Sequence, residues 1–566
     1  LKAIRPEPAT PVDRSKGLVW TAITQLIDLT GSPSPYIESV DLDRKSLAKH
    51  PWSIGGGGAA DVKRVIDSVS KITLEQVIEV VGRVTHTGAD EVYFGTPDFW
   101  RRLGARDDEV VSLIEGPNVR DWSANAEEQV LFPYTAELTA ALPRTANLVR
   151  HLWRNKALLK IRREPGGTHA EIGLTWYEWS RFQRERFRNV NSIAYADITT
   201  HLHFARVDGQ YVFNRTAPAI KKHRTDDSDA FIGLLGLLNS STVCYWMKQV
   251  CFPKDGQASM WDERFAFNAS NLVKLPIPFS RPIDISKRLD ALSNQVSANL
   301  PQSISGKDSS TGQIPTRATL DSRRAKNLQL QRQMIAEQEN LDWRCYRLYG
   351  LLPESSMSLD FEYTETVEVN FGERAFEIVL ARRIAAGEEA TTWFERHGAK
   401  PITEIPGHWP EKYRQVVQRR IELIASDRNL ALIERPEYKR RWNSPDSKEL
   451  EQTALRAWLL ARLESAALWS TTQDVPPAIT TARRLADRLF RDVEFAQVAA
   501  LYAGHADFDT AQLVAELVSA ESVPFLPALR YSDSGLRKRE QWQETWALQR
   551  SEDKGDNVGS IPVPPK

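Results

Sequence analysis

The sequence predicts a multidomain protein of the mixed α+β class, and three observations lead to this prediction. The chain has 566 residues, whereas one domain usually has about 100 to 200. Short β-rich runs separated by Gly, Pro, Asp and Asn occupy residues 83–280, and longer runs with helical spacing follow them. Hydrophobic residues make up 41% of the chain and charged residues 26%, which excludes wholesale disorder.

The overall charge excludes a protein that is drawn to nucleic acid as a whole. The 74 basic residues balance the 74 acidic ones, so any DNA site must be local. Three cysteines are too few for a disulfide framework, and no CxxC pair is present. No run of about 18 apolar residues occurs and the first residues lack an apolar signal, so we expect a cytoplasmic protein without a membrane partner.

Residues 1–82 predict a looped linker that ends in a helix. Gly55 to Gly58 precede a stretch with apolar residues at helical spacing, and Asp61 is the expected N-cap. The glycine run is a tight turn or a ligand loop, but it lacks the phosphate-loop and dinucleotide patterns.

Residues 83–280 predict a strand-rich module. Its clearest hairpin signal is Asp208-Gly209, which favours a type I′ turn between β-prone flanks. The stretch 227–250 predicts a helix, because Phe231, Leu234, Leu235 and Leu238 recur at helical spacing.

The remaining chain predicts mainly helices. Residues 281–352 contain two apolar stripes joined by a polar linker, which indicates a helical hairpin that spaces the flanking domains. Residues 353–550 predict a mostly helical domain, and residues 551–566 a disordered tail.

The sequence lacks recognisable catalytic motifs. It contains no GxSxG, HExxH, kinase or Walker pattern, and no Asn/Asp/Ser-Pro-Pro-Tyr/Phe tetrapeptide of the kind that grips a flipped adenine. His201 and His203 stand two apart in a predicted strand, so they point to one face. Because no third ligand is identifiable, they are interpreted as structural or DNA-contacting residues in preference to metal ligands.

Basic residues interleaved with aromatic ones are the strongest indication of DNA binding. The predicted DNA contacts are Arg181, Arg184, Arg186, Arg188, Lys221 and Lys222, with His201 and His203 as weaker candidates. The alternative is a core segment whose charges are solvated. Two further basic runs, Lys439 to Arg441 and Arg537 to Arg539, are expected at the surface without a binding role.

Several motifs together resemble the C-terminal region of large adenine-specific DNA methyltransferases. They are HPWSIGGGGAADVK (50–63), LTWYEWSRFQRERFR (174–188), VFNRTAPAIK (212–221), LLGLLNSSTVCYWMKQV (234–250), LDWRCYRLYGLL (341–352) and the closing 537–566. The nearest resemblance is to methyltransferases of bacteriophage exclusion (BREX) and phage growth limitation systems. Type IIG restriction-modification enzymes are more distantly similar.

This resemblance implies a target-recognition region and a helical spacer that serve a catalytic domain outside this chain. That domain would bind S-adenosylmethionine, while this chain would hold no catalytic, cofactor-binding or metal-binding residue of its own. The implied partners are double-stranded DNA, the catalytic half and other phage-defence subunits. Two alternatives remain: a scaffold that docks such subunits, or a nuclease within residues 355–530.

Overall fold

Helices dominate the structure and small sheets gather in its first half, which confirms the predicted mixed α+β class. The computed structural model describes residues 2–3, 11–29, 31, 34, 36–39, 44, 58–223, 227–254, 262–305, 314–352, 359, 366–442, 446–469, 480–519 and 533–564.

The strands are short and most of them lie between residues 80 and 266. They are β1 (Lys2–Ala3), β2 (Ile37–Glu38), β3 (Val80–Gly82), β4 (Thr85–His86), β5 (Phe94–Gly95), β6 (Val110–Ile114), β7 (Val119–Arg120), β8 (Ser123–Ala124), β9 (Glu128–Leu131), β10 (Arg163–Glu164), β11 (Gly167–Thr168), β12 (Arg181–Phe182), β13 (Asn191–Tyr195), β14 (Ile198–Thr199), β15 (Phe204–Asp208), β16 (Val212–Phe213), β17 (Ala219–Lys221), β18 (Phe252–Pro253) and β19 (Phe265–Ala266).

The helices lengthen towards the second half of the chain. They are α1 (Leu18–Leu26), α2 (Ala59–Ser68), α3 (Asp90–Tyr93), α4 (Pro97–Arg102), α5 (Ala146–Arg154), α6 (Lys156–Lys160), α7 (Arg184–Arg188), α8 (Ser228–Leu238), α9 (Ser241–Val250), α10 (Ala269–Leu272), α11 (Ile283–Ala298), α12 (Gln302–Ser305), α13 (Arg317–Leu348), α14 (Ala375–Ala385), α15 (Trp393–Arg396), α16 (Glu411–Ser426), α17 (Arg428–Ile433), α18 (Ser447–Leu463), α19 (Ala466–Trp469), α20 (Ala482–Leu489), α21 (Val493–Ala503), α22 (Thr510–Val518) and α23 (Asp533–Asp553).

A four-stranded sheet in the order β15-β13-β17-β3 separates two hydrophobic cores. Successive side chains of a strand point to opposite faces. In β13, Ile193 and Tyr195 therefore join one core, while Ala194 joins the other. The second core also contains the sheet β16-β6-β9-β5. This shared sheet fixes the strand-rich module to the helices that follow it.

The predicted hairpin at Asp208-Gly209 is wrong. β15, which precedes it, pairs with β13, whereas β16, which follows it, pairs in parallel with β6. Gly209 has φ +120°, but Asp208 lies at the end of β15 and does not adopt the positive φ that a type I′ turn requires. The turn residues therefore send the chain into a different sheet.

The predicted helices before and after the module are confirmed, with different ends. α2 begins at Ala59, so Gly58, with φ +86°, is the N-cap in place of Asp61. Gly55 to Gly57 lie outside the described residues. The predicted helix at 227–250 is two helices, α8 and α9, which bend by 64° at the break. Ser240 caps α9 by accepting a hydrogen bond from Val243 N.

The predicted helical hairpin is present as α11 packed along α13. Its apolar residues do not form a separate core. Leu289 of α11 and Leu341 of α13 belong to the same core as Val62 and Tyr413, so the hairpin lies inside the molecule. Residues 306–313 of the predicted linker are outside the described residues.

The helices from α14 to α22 divide between two cores. Those up to residue 442 share the core of α13, whereas Leu455, Leu485 and Val514 form a separate cluster. The chain therefore passes from one hydrophobic core to the other between residues 442 and 455. The last described residues, which the sequence predicts to be disordered, instead fold back along α23, where Thr545 Oγ1 donates to Pro562 O at 3.1 Å.

Candidate nucleic-acid interface

The predicted arginine segment lies at the surface of the strand-rich module, with its aromatic rings turned inwards. Trp179 and Phe187 are almost fully buried. Together with Phe182, they pack against Phe132 and Tyr134. These rings are core residues that hold the segment in place, and the guanidinium groups are left at the surface.

Arg181 and Arg184 are oriented by the protein and still accessible. Arg181 Nε donates to a carboxylate oxygen of Glu164 at 2.5 Å. Arg184 Nε donates to Leu138 O at 2.9 Å, and its guanidinium lies 5.8 Å from the ring centre of Tyr134. The two side chains are 41% and 45% exposed, so both groups retain N–H donors that face solvent.

Arg186 packs closely against the backbone. Its Nη1 donates to Arg83 O at 2.8 Å. Gly82 has φ +150°, and a Cβ there would lie 2.7 Å from Arg186 Nη1. The lack of a side chain at residue 82 therefore makes room for this guanidinium. Burial and the nearby charge of Arg83 lower the pKa of Arg186. At the exposed end of α7, Arg188 forms an ion pair with Glu185.

A cavity of about 410 Å³ lies beside this segment. Its lining contains Arg184 and Arg186 together with Glu79 and Glu185. Guanidinium groups donate hydrogen bonds and carboxylates accept them. The cavity wall therefore presents both kinds of group within one small area.

The two predicted lysines lie next to the same cavity but differ in access. Lys221 is only 1% exposed, and its Nζ donates to Asn189 O and Ser192 Oγ at 2.8 and 2.7 Å. Burial lowers its pKa to about 8. Lys222 is half-buried, and its backbone O accepts from Asn189 Nδ2, which also donates to Glu79. The fold thus brings the two predicted basic runs together, with Lys221 inside the protein.

His201 and His203 are buried away from this cavity. His201 Nε2 lies 2.9 Å from Tyr438 O. His203 Nδ1 accepts from the guanidinium of Arg440 at 2.8 Å, which requires a neutral ring. Burial lowers the pKa of both rings well below the usual value. Their ring nitrogens therefore serve contacts between the strand-rich module and the irregular segment that follows α17, and neither ring is open to DNA.

The basic run Lys439 to Arg441 is not the exposed surface that the sequence predicts. Lys439 is 2% exposed and its Nζ donates to Asp342 and Glu434 at 2.9 and 2.8 Å. Arg440 is 1% exposed and donates to Asn239 Oδ1 at 2.5 Å. Buried charges need such partners. The ion pairs and hydrogen bonds of this run therefore join three parts of the chain.

Among the described residues, no group of three or more His, Cys, Asp or Glu side chains is placed to hold a metal ion. Within the same residues, no single helix is long and apolar enough to cross a membrane, and only the bent pair α8 and α9 meets that test of length and composition together.

Comparison with known proteins gives a match along the whole chain. Residues 334–566 match the family model described as "Domain of unknown function (DUF7008)". The chain is 38% identical over 587 aligned residues to the adenine-specific methyltransferase PglX of Streptomyces coelicolor (strain ATCC BAA-471 / A3(2) / M145). The resemblance to these methyltransferases is confirmed. The alignment covers 100% of this chain and 48% of the relative, so the chain spans about half the length of the curated protein that it matches.

A weaker likeness exists to a solved structure, the type IIL restriction-modification enzyme MmeI in complex with DNA. It covers 51% of this chain and 35% of that chain, with 10% identity and a TM-score of 0.30. A likeness at this level carries no argument about the site.

S-adenosylmethionine is the cofactor that the resemblance to a methyltransferase implies, and the cavity beside α7 does not fit it. The described lining contains no glycine turn for a nucleoside. No methyl-transfer step is derived from these residues.

Proposed function

We propose that this chain is the DNA target-recognition portion of a site-specific N6-adenine DNA methyltransferase in an anti-phage defence system of the BREX type. The observation that carries the proposal is the 38% identity, along the whole chain, to an adenine-specific methyltransferase of which the chain spans 48%. A catalytic domain outside this chain supplies S-adenosylmethionine binding and methyl transfer.

The cavity beside α7 is the proposed base-reading site. Arginine donates two parallel hydrogen bonds to guanine, and glutamate accepts from the amine of cytosine. Arg184, Arg186, Glu79 and Glu185 present both kinds of group in one place. A mixed surface of this kind suits base reading better than phosphate binding, which needs only positive charge.

The outer arginines are the proposed phosphate contacts. Arg181 and Arg188 flank the cavity-lining residues, and each side chain is more than 40% exposed, at 41% and 47%. Lys222 is half-buried at the same edge. Lys221, His201 and His203 are not proposed as contacts in this conformation, because their polar atoms are buried in bonds within the protein.

The test is a titration of duplex DNA with this chain, alone and with the catalytic half added, at two salt concentrations. We expect sequence-selective binding that weakens with salt, because phosphate contacts release counterions. Arg184→Ala and Arg186→Ala should each weaken binding by about 1 to 3 kcal/mol and relax one position of the site.

Arg414→Ala is the matched control, since Arg414 is 40% exposed and forms an i,i+3 ion pair as Arg188 does. The proposal fails if the cavity variants bind DNA as well as this control does. Lack of DNA binding in both arrangements would favour a scaffold instead.

A further inference from the structure

A second surface combines exposed apolar side chains with clustered positive charge. The strands β14, β19 and β18 form a three-stranded antiparallel sheet in that order. β14 follows the C-terminal end of β13, whereas Asn189 and the arginine segment precede its N-terminal end. The sheet therefore lies at the other end of β13 from the cavity beside α7.

One row of this sheet presents apolar side chains to solvent. Ala266 is paired with Ile198 on one side and with Phe252 on the other. Residues directly opposite each other in a sheet share a face. Ile198 is 49% exposed and Phe252 is 71% exposed, so this face carries an uncovered apolar row.

The next row on the same face is basic. Lys254 N donates to Arg264 O at 2.7 Å, which extends the pairing of β18 with β19 by one residue. Because side chains alternate between faces, Lys254 lies on the face of Phe252, and Arg264 on the face of Ala266. Both side chains are exposed.

Positive charge continues beyond this row on both sides. Arg441 donates to Thr200 Oγ1 and lies 3.1 Å from Asp262, which also pairs with Arg396. On the other side, Arg215 and Lys254 act on Asp197 and oppose the rise in its pKa that burial causes.

Around this sheet the described cations are Arg215, Lys254, Arg264, Arg396 and Arg441. The described carboxylates beside them include Asp197, Asp262 and Glu263, so these cations outnumber these carboxylates.

The opposite face of the sheet is covered at β14 and β19, whereas Pro253 of β18 is exposed there. Thr199 is 8% exposed, and the ring of Phe265 lies 4.9 Å from Lys248 Nζ and stacks near Phe267. The sheet is thus anchored to the core by one face. The exposed Phe252 contributes little to that core, and this leaves it available for a partner.

We propose that this face binds an unpaired stretch of nucleic acid, with Phe252 stacked on a base and the surrounding cations on phosphates. Exposed aromatic rings on strands bind single strands in this way, because every base has a π-face and the backbone is anionic. In a duplex the bases are stacked on each other, so Phe252 reaches only a base that is unpaired or flipped out. The inference rests on the proposed function, to which it adds a contact for the displaced strand.

The experiment measures binding of the full chain to a labelled single strand of about 12 nucleotides and to the matched duplex, by fluorescence anisotropy. Phe252→Ala should weaken single-strand binding about 5- to 100-fold, the range for loss of one base stack. Phe252→Leu should also bind the single strand weakly, because leucine keeps the apolar contact but has no π-face. Phe252→Trp should restore binding, and the bases should quench its added fluorescence.

Phe279→Ala is the matched control, because Phe279 is 100% exposed at another place in the fold. Lys254→Ala and Arg264→Ala should reduce the dependence of single-strand binding on salt. Equal binding by Phe252→Ala and the control would overturn the inference, as would Phe252→Leu binding like the parent, since a protein partner would need only apolar contact.

The duplex measurements separate this inference from the proposed function. If Arg184→Ala weakens duplex binding while Phe252→Ala leaves single-strand binding unchanged, only the further inference fails. If single-strand binding depends on Phe252 while the duplex is not bound, only the proposed reading of a duplex site fails.

Discussion

Lys221 illustrates at the residue scale how burial changes the chemistry of a basic side chain. Its Nζ is enclosed by Asn189 O and Ser192 Oγ, and burial lowers its pKa to about 8 from the usual 10.5 of lysine. Between these two pH values the unfolded chain binds more protons than the folded one. The free energy of unfolding therefore rises with pH across this window, and the charged lysine destabilises the fold below it.

Replacing Lys221 tests the direction of this pH dependence. Lys221→Met removes the buried charge. The melting temperature of the variant minus that of the parent should therefore be highest near pH 7 and should fall as pH rises from about 8 to 10. Thermal unfolding followed by circular dichroism at several pH values measures this difference. Lys222→Met is the control for loss of a charge at the neighbouring position. A parent-to-variant difference for Lys221→Met that stays constant with pH would contradict the prediction.

At the scale of elements, the hairpin of β7 and β8 joins the strand-rich module to the long helix α13. Its two turn residues, Asp121 and Trp122, both have positive φ, at 46° and 72°. Such a turn usually contains Gly or Asn, because a Cβ is strained there. Trp122 is 2% exposed and its Nε1 donates to Gln338 Oε1 at 2.9 Å. Burial of the indole offsets the strain of the turn.

Truncation of this ring should destabilise the fold strongly. We expect Trp122→Ala to cost about 3 to 5 kcal/mol, the usual range for a large buried aromatic residue. Trp20→Ala is the matched control, because Trp20 is 51% exposed, and it should stay within about 0.5 kcal/mol of the parent. Chemical denaturation followed by circular dichroism compares them, and similar losses for both variants would refute the role of the hairpin.

The elements that sequence predicts best are those with long local periodicity. α2, the α8–α9 stretch and the pair α11 and α13 repeat apolar residues at helical spacing, and each of them is helical. The turn signal at Asp208-Gly209 predicts a hairpin that is absent, because a local turn signal does not reveal which strand becomes the partner. β16 pairs with β6, which lies far earlier in the chain.

The two candidate sites also differ in how far the sequence predicts them. The arginine segment beside the cavity is contiguous in sequence, so its composition alone predicts a binding role. The face around Phe252 combines residues from separate parts of the chain, such as Ile198, Arg396 and Arg441, and no local motif marks it. Burial of Lys221 and His203 is likewise a property of the assembled fold, since a basic residue in sequence carries no sign of its depth.

At the scale of the whole molecule, the end of the chain returns to its first half. Gln549 of α23 accepts a hydrogen bond from Ala157 N at 3.0 Å, and Asp553 accepts from Trp153 Nε1 at 2.7 Å. Lys156 lies 2.6 Å from Asp553 and 3.0 Å from Glu552. α23 thus closes the molecule against α5 and α6. Sequence alone arranges the predicted domains one after another and does not indicate this contact.

Charge reversal should open this contact without disturbing the main core. Glu552→Lys with Asp553→Lys places two new cations beside Lys156 and Lys160, which now pair with those acids. Most of the stability of a helix in a protein comes from tertiary packing. We therefore expect amide protection in α23 to fall at least about tenfold, the factor for roughly 1.4 kcal/mol, while α13 stays protected in hydrogen-exchange mass spectrometry.

Two further variants establish that the charges themselves hold the helix. Adding Lys156→Glu and Lys160→Glu to the reversed chain should restore protection, because the ion pairs re-form with opposite polarity. Glu540→Lys with Glu544→Lys makes the same change in charge at exposed positions of α23 and should leave protection unaltered. If this control also releases the helix, the effect belongs to net charge, and the specific contact with α6 is not what docks the end of the chain.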